Sequence, residues 1–160
     1  MSATIRLQSE DFDAAAESRR LSAGRTDIGA VVTFAGICRD HEAGHGVTAL
    51  TLEHYPGMAE EEIARHVAEA ERRWPLNGVT VIHRYGRLVP GDNIVLVVTA
   101  SAHRAAAFAA AEFLMDYLKT RAPFWKQEER TGGAAWVAAK DADDAAAERW
   151  VEPRKRDAAE

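Results

Sequence analysis

The sequence predicts a single α+β domain, with a mixed, largely antiparallel sheet packed with helices. Three observations carry that prediction. Stretches rich in β-branched residues recur at Gly29–Cys38, Val47–His54, Val79–Gly86 and Asn93–Ala100. Helical periodicity at Met58–Trp74 and Ala102–Thr120 separates some of these stretches, while the turn signal Pro90-Gly91-Asp92 joins others. The 160 residues, 47% hydrophobic and 28% charged, contain no repeat, low-complexity linker or domain boundary. Residues 1–150 are therefore expected to form one domain, and 151–160, charged and interrupted by Pro153, a mobile tail.

The elements follow in order. Thr4–Gln8 alternates as a short strand, and Asp11–Leu21 is a polar, alanine-rich helix. Gly29–Cys38 is nearly all apolar and bounded by glycine, which suits a strand buried on both faces. Arg39–Gly46 reads as a loop, Val47–His54 as a second strand, and Pro56-Gly57 as a turn. In Met58–Trp74, Ile63, Val67, Ala70 and Trp74 share one face. Glu60, Glu61 and Glu62 open that helix, Arg72 and Arg73 close it, and Pro75 ends it. Val79–Gly86 and Asn93–Ala100 are strands on either side of Pro90-Gly91-Asp92. Ser101 is the expected N-cap of a helix running from about Ala102 to Thr120. Arg104, Phe108, Ala111, Met115 and Leu118 share a face of that helix, with Lys119 flanking it about 40° from Met115. Pro123 stops the helix. Phe124–Arg130 and Ala135–Ala139 then pair across Thr131-Gly132-Gly133, and Asp143–Trp150 is a short helix.

Charge narrows the function. A net charge of −5 argues against a general nucleic-acid or membrane-surface binder, since both need a broad basic face. The single cysteine, Cys38, excludes an internal disulfide framework and a multi-cysteine metal site. The N-terminus has no signal-peptide pattern and no apolar run approaches ~20 residues, so a cytoplasmic location is expected.

Against that acidic background, Lys119, Arg121 and Lys126 lie in a run without an acid, and the Pro123 reversal brings the two lysines toward one another. The corner reads as a socket for an anion. A bland alternative stands beside it, because cations at a helix C-terminus complement the dipole and most do nothing else. His103 and Arg104 open the same helix at its positive end, a geometry equally suited to phosphate or to plain solvent exposure. Cys38 ends an apolar strand and reads as a small buried hydrophobe whose backbone can line a site. His54, His66 and His83 read as satisfied structural residues.

His41-Glu42-Ala43-Gly44-His45 matches the H-E-x-x-H pattern of zinc peptidases. That chemistry needs both histidines on one helical face, which Gly44 and Gly46 disfavour, so no metal is expected here.

Several stretches together resemble one family. They are Val32–Gly36 followed by Arg39, Leu50–Met58, Arg73–Leu76, Val79–Arg84, Pro90–Asp92, Ser101–Arg104 and the stretch from Met115 to Glu128. In order and without large gaps from about residue 28 to 150, they are similar to the large, catalytic subunit of molybdopterin synthase. The resemblance implies a hammerhead-like α+β fold and a homodimer. It also implies a small ubiquitin-like sulfur-carrier partner with a C-terminal Gly-Gly thiocarboxylate, giving a heterotetramer. The implied reaction moves sulfur twice onto cyclic pyranopterin monophosphate to form the molybdopterin dithiolene, with no cofactor. Lys119 and Lys126 are the implied catalytic residues, with Arg39, His103 and Arg104 on the anionic part of the substrate. Ile37, Cys38, Gln127 and Glu128 are implied to line the pocket. Ile37 departs from the basic residue expected at its position, and Lys140 is a further basic candidate.

The residues suit those roles. A phosphate, an anionic tail and charge building on oxygen all call for fixed cations. Neighbouring ammonium groups disfavour each other's charge, so one of the pair can exchange protons. Lys119 is expected to move the proton and Lys126 to hold the anion. Two other readings remain: a zinc peptidase built on His41, Glu42 and His45, and a non-catalytic scaffold that binds the small subunit.

Overall fold

Two sheets meet around the site, and the helices fix their spacing. The computed structural model describes residues 3–137 and 141–151. In chain order the elements are β1 (Thr4–Gln8), α1 (Ala14–Ser22), β2 (Ala30–Ile37), β3 (His41–Glu42), β4 (His45–His54), α2 (Met58–Arg73) and β5 (Gly78–Arg84). They continue with β6 (Gly86–Leu88), β7 (Asn93–Ser101), α3 (Arg104–Thr120), β8 (Phe124–Arg130), β9 (Gly133–Val137) and α4 (Asp141–Glu148).

The first sheet runs β1-β5-β7-β2, with β1 parallel to β5 and the other pairs antiparallel. Val79, Val81, Val95 and Val97 on one face meet Ile63, Val67 and Ala70 of α2 and Leu114 and Tyr117 of α3. Ile82, Leu96 and Val98 on the other face meet Phe12 and Leu21 at α1. The central strands β5 and β7 are thus buried on both sides, each branched side chain contributing roughly 1.5–3 kcal/mol. The second sheet is built on β4, which pairs with β3, β6 and β8, while β9 extends β8.

Four expectations need correction. The apolar strand β2 lies at the outer edge of its sheet, so Val31 and Val32 pack against the cores on its two faces while Phe34 and Ile37 stay 41% and 53% exposed. The expected loop at 39–46 is a hairpin: β3 turns into β4 through Ala43 and Gly44, both at positive φ (48° and 80°) as a primed two-residue turn demands. Ser101 closes β7, its hydroxyl donating to the Pro75 carbonyl, and the N-cap is the extended residue His103. The buried face of α3 runs through Ala107, Ala110, Leu114 and Tyr117, leaving Arg104 and Phe108 exposed. Small alanines let α3 lie close on β7, where Thr99 Oγ1 donates to the Ala107 carbonyl at 2.7 Å.

The other elements overlap their expected stretches, except β6, which pairs with β4 where no separate strand was expected. Ala138, Ala139, Lys140 and the tail from 152 onward lie outside the described residues.

Candidate active site

Pro123 brings the two lysines together. The last turn of α3 closes with Arg121 N–H donating to the Tyr117 carbonyl at 2.8 Å, and Phe124 N–H donates to the Ala122 carbonyl at 2.8 Å across the proline. The chain returns as β8 along β4, with Phe124 opposite His54, Lys126 opposite Leu52 and Glu128 opposite Leu50. Strand alternation puts Lys126 and Glu128 on the face of Leu50 and Leu52, toward the first sheet. Lys119, Lys126 and Glu128 all line one cavity of about 350 Å³.

Strand β2 and its continuation supply the opposite wall: Phe34, Gly36, Ile37, Cys38 and Arg39. Backbone bonds anchor this segment, since Cys38 N–H donates to the Asp92 carbonyl and its own carbonyl accepts from Gly91 N–H, both at 2.8 Å. Burial pushes the Cys38 thiol up, and Asp92 and Glu128 add to this against Lys126, so the sulfur is a protonated wall group at neutral pH. Arg39 is largely exposed and donates to Glu42 at 2.6 Å.

Glu128 anchors the cavity floor. It is only 2% exposed, and it accepts from His45 Nε2 at 3.1 Å and from Arg130 Nη2 at 3.0 Å, with Lys126 Nζ 3.8 Å from its other oxygen. Burial alone would raise its pKa. The bonds from His45 and Arg130, with the charge of Lys126, outweigh this and hold the carboxyl below its ordinary value. His83 also lines the cavity. Its ring stacks on Phe124 at 4.1 Å, and burial, reinforced by the charges of Lys119 and His54 and opposed by the Arg84 carbonyl, pushes its pKa down to about 4.

Of the residues singled out from sequence, the cavity gathers Ile37, Cys38, Arg39, Lys119, Lys126 and Glu128. Gln127 is not among them, because alternation turns it to the other face of β8, opposite Thr51 and Trp136. His103 and Arg104 are also absent. They open α3 at its exposed far end, roughly 22–24 Å from Lys119 at 1.5 Å per residue. Arg121 lines a separate groove beside His66 and Tyr117. His83 is the buried, satisfied strand residue the sequence suggests, and the sequence did not show that it also borders the cavity or that the register of β4 with β8 brings His45 and Arg130 to Glu128.

The hairpin also removes the basis for the zinc reading. Glu42 pairs with His45 and His41 with Gly46, so the two histidines fall on opposite faces of the ribbon. His41 turns to Asp40 and His45 to Glu128. Among the described residues no group of three His, Cys, Asp or Glu side chains is placed to hold a metal ion.

Cations from three segments thus face a cavity of small-molecule size, an arrangement that can receive an anionic substrate and stabilise charge developing on oxygen. A family model described as MoaE protein matches residues 7–121. The molybdopterin synthase catalytic subunit of Mesorhizobium japonicum is 63% identical over 149 residues, 92% of each chain. That of Escherichia coli K12 is 59% identical over 128 residues, 80% of this chain and 85% of the relative. Among solved structures, the molybdopterin biosynthesis MoaE protein of Burkholderia ambifaria superposes with a TM-score of 0.80 at 52% identity, covering 94% of this chain and all of that one. The crystal structure of molybdopterin synthase from Staphylococcus aureus superposes with a TM-score of 0.75 at 29% identity, covering 82% of this chain and 95% of that one.

Proposed function

The chain belongs to the MoaE protein family, and from that premise we propose that its cavity is where a molybdopterin synthase catalytic subunit transfers sulfur to cyclic pyranopterin monophosphate. The donor is the thiocarboxylate at the C-terminus of a small ubiquitin-like partner, and the product is the dithiolene of molybdopterin. The observation that carries this reading is the meeting of Lys119 from α3 and Lys126 from β8 with Arg39 at one cavity of about 350 Å³. Three cations converge where a phosphate, an anionic tail and a developing oxyanion must be accommodated. Lys119 moves the proton as sulfur adds, and Lys126, steered by Glu128, holds the anion. Ile37, Cys38 and Glu128 shape the pocket around the substrate.

His103 and Arg104 serve the site only from a second copy of the chain, because α3 holds them at its other end. An apolar surface supports such a homodimer: Phe34 and Ile37 on β2 and Phe108 near the start of α3 are 41%, 53% and 61% exposed. With one small subunit per catalytic chain, the assembly is a heterotetramer. It works in the cytoplasm, and no helix among the described residues is long and apolar enough to cross a membrane.

The test is reconstitution. The chain, the thiocarboxylated small subunit and cyclic pyranopterin monophosphate are incubated together, and dithiolene product is measured. Product forming in proportion to the thiocarboxylate supplied is expected. Tight binding of the small subunit with no dithiolene would leave a scaffold in place of an enzyme.

A further inference from the structure

We infer that His83 is a positioning residue for Lys119, its Nε2 accepting the ammonium group and aiming it into the cavity. The inference deepens the reading given above and rests on Lys119 being the proton-moving group.

The imidazole is held by a stacked neighbour and through one ring nitrogen. His83 is 6% exposed on the central strand β5, and its ring stacks on Phe124 at 17° between planes. His54 from β4 tilts against the same Phe124 at 6.0 Å between centroids. Nδ1 lies 2.9 Å from the Arg84 carbonyl oxygen, which only accepts, so the ring proton sits on Nδ1 and the lone pair on Nε2. His83 and Lys119 line the same cavity. The charged groups that face the ring from neighbouring elements are Lys119 on α3 and His54 on β4, both disfavouring its protonation, while Lys126 and Glu128 on β8 stand in the same cavity. The ring is therefore a neutral acceptor at physiological pH.

That chemistry separates the two lysines. Lys126 has a carboxylate 3.8 Å away, which fixes the place of its ammonium and suits a fixed anion clamp. His83 brings a neutral imidazole to the cavity that Lys119 lines, and a neutral acceptor orients an ammonium without adding a charge of its own. A group that must give and regain a proton is better served by the second environment.

The test compares His83→Gln with His83→Asn in the full complex with the small subunit. A glutamine amide reaches the place of Nε2, whereas an asparagine amide reaches only the place of Nδ1. His83→Gln is expected to keep most of kcat. His83→Asn is expected to lose about 10- to 100-fold in kcat, with KM for the pterin within about twofold. Equal kcat in the two variants would overturn the inference. Should either variant fail to fold, ¹⁵N-histidine NMR of the otherwise unaltered chain decides: the His83 Nε2 resonance must shift when Lys119 is replaced in Lys119→Met, and an unmoved resonance overturns the inference. The NMR result does not depend on turnover. A complex that makes no dithiolene therefore counts against the functional reading alone, and an unmoved resonance against the His83 contact alone.

Discussion

Glu128 shows how much one side chain can organise. It is almost wholly buried, and its carboxylate holds His45, Arg130 and Lys126 in one cluster. Glu128→Gln leaves three basic groups around a neutral amide, and because those partners are about a third exposed the cost is moderate. A loss of about 1–3 kcal/mol in urea unfolding is expected. His83 gives a pH dependence of definite sign. Its folded pKa of about 4 lies below the ordinary 6.5, so between those values the unfolded chain binds the extra proton. Stability must therefore fall as pH drops from about 6.5 toward 4, by up to ~1.4 kcal/mol per unit, and His66, pushed down first by burial, adds in the same direction. Denaturation series across that window, with His83→Gln flattening the slope, check this. Lys119 and Lys126 were legible in the sequence because Pro123 reverses the chain between them. Gln127 turns away from the cavity because only alternate residues of a strand face one side, a limit that a contiguous stretch of sequence does not display. The burial of His83 is legible from its strand position, but which cavity its ring borders is not.

Among the elements, α2 announces itself through Ile63, Val67 and Ala70, and the structure buries all three. Helix α3 is less readable. Its buried face is largely alanine, which gives a weak periodic signal, and the large Phe108 drew the expected stripe toward a face that is open. Strand β2 misleads for a related reason: a continuous apolar run signals contact on both faces but not whether a second chain supplies it. The β3–β4 hairpin is hard to see in the sequence because Ala43 is a poor residue for its turn. At φ 48° Ala43 occupies the left-handed region, which disfavours an L side chain other than Asn or Asp. Ala43→Asn is expected to raise stability by up to about 1 kcal/mol, seen as a higher urea midpoint at unchanged slope. An unchanged or lower midpoint would mean that the turn is not held as described.

At the scale of the whole molecule the proposed site draws on a second chain. His103 and Arg104 stand at the far end of α3, while Phe34, Ile37 and Phe108 present apolar surface. A second copy covering that surface accounts for both. Mixed dimers test it: chains carrying Lys119→Ala and chains carrying Arg104→Ala, each nearly inactive alone, are dissociated together and reassembled. Random pairing makes one intact site in each mixed dimer, so about a quarter of wild-type activity should return. Activity equal to the sum of the two parents would show that each chain builds its site unaided. The most direct measurement, however, concerns Lys119 itself. In the complex with thiocarboxylated small subunit, single-turnover formation of dithiolene and pterin binding are measured side by side for wild type and Lys119→Ala. A loss of about 100-fold or more in the chemical step is expected, with binding changed only a few-fold. Turnover close to wild type would contradict it.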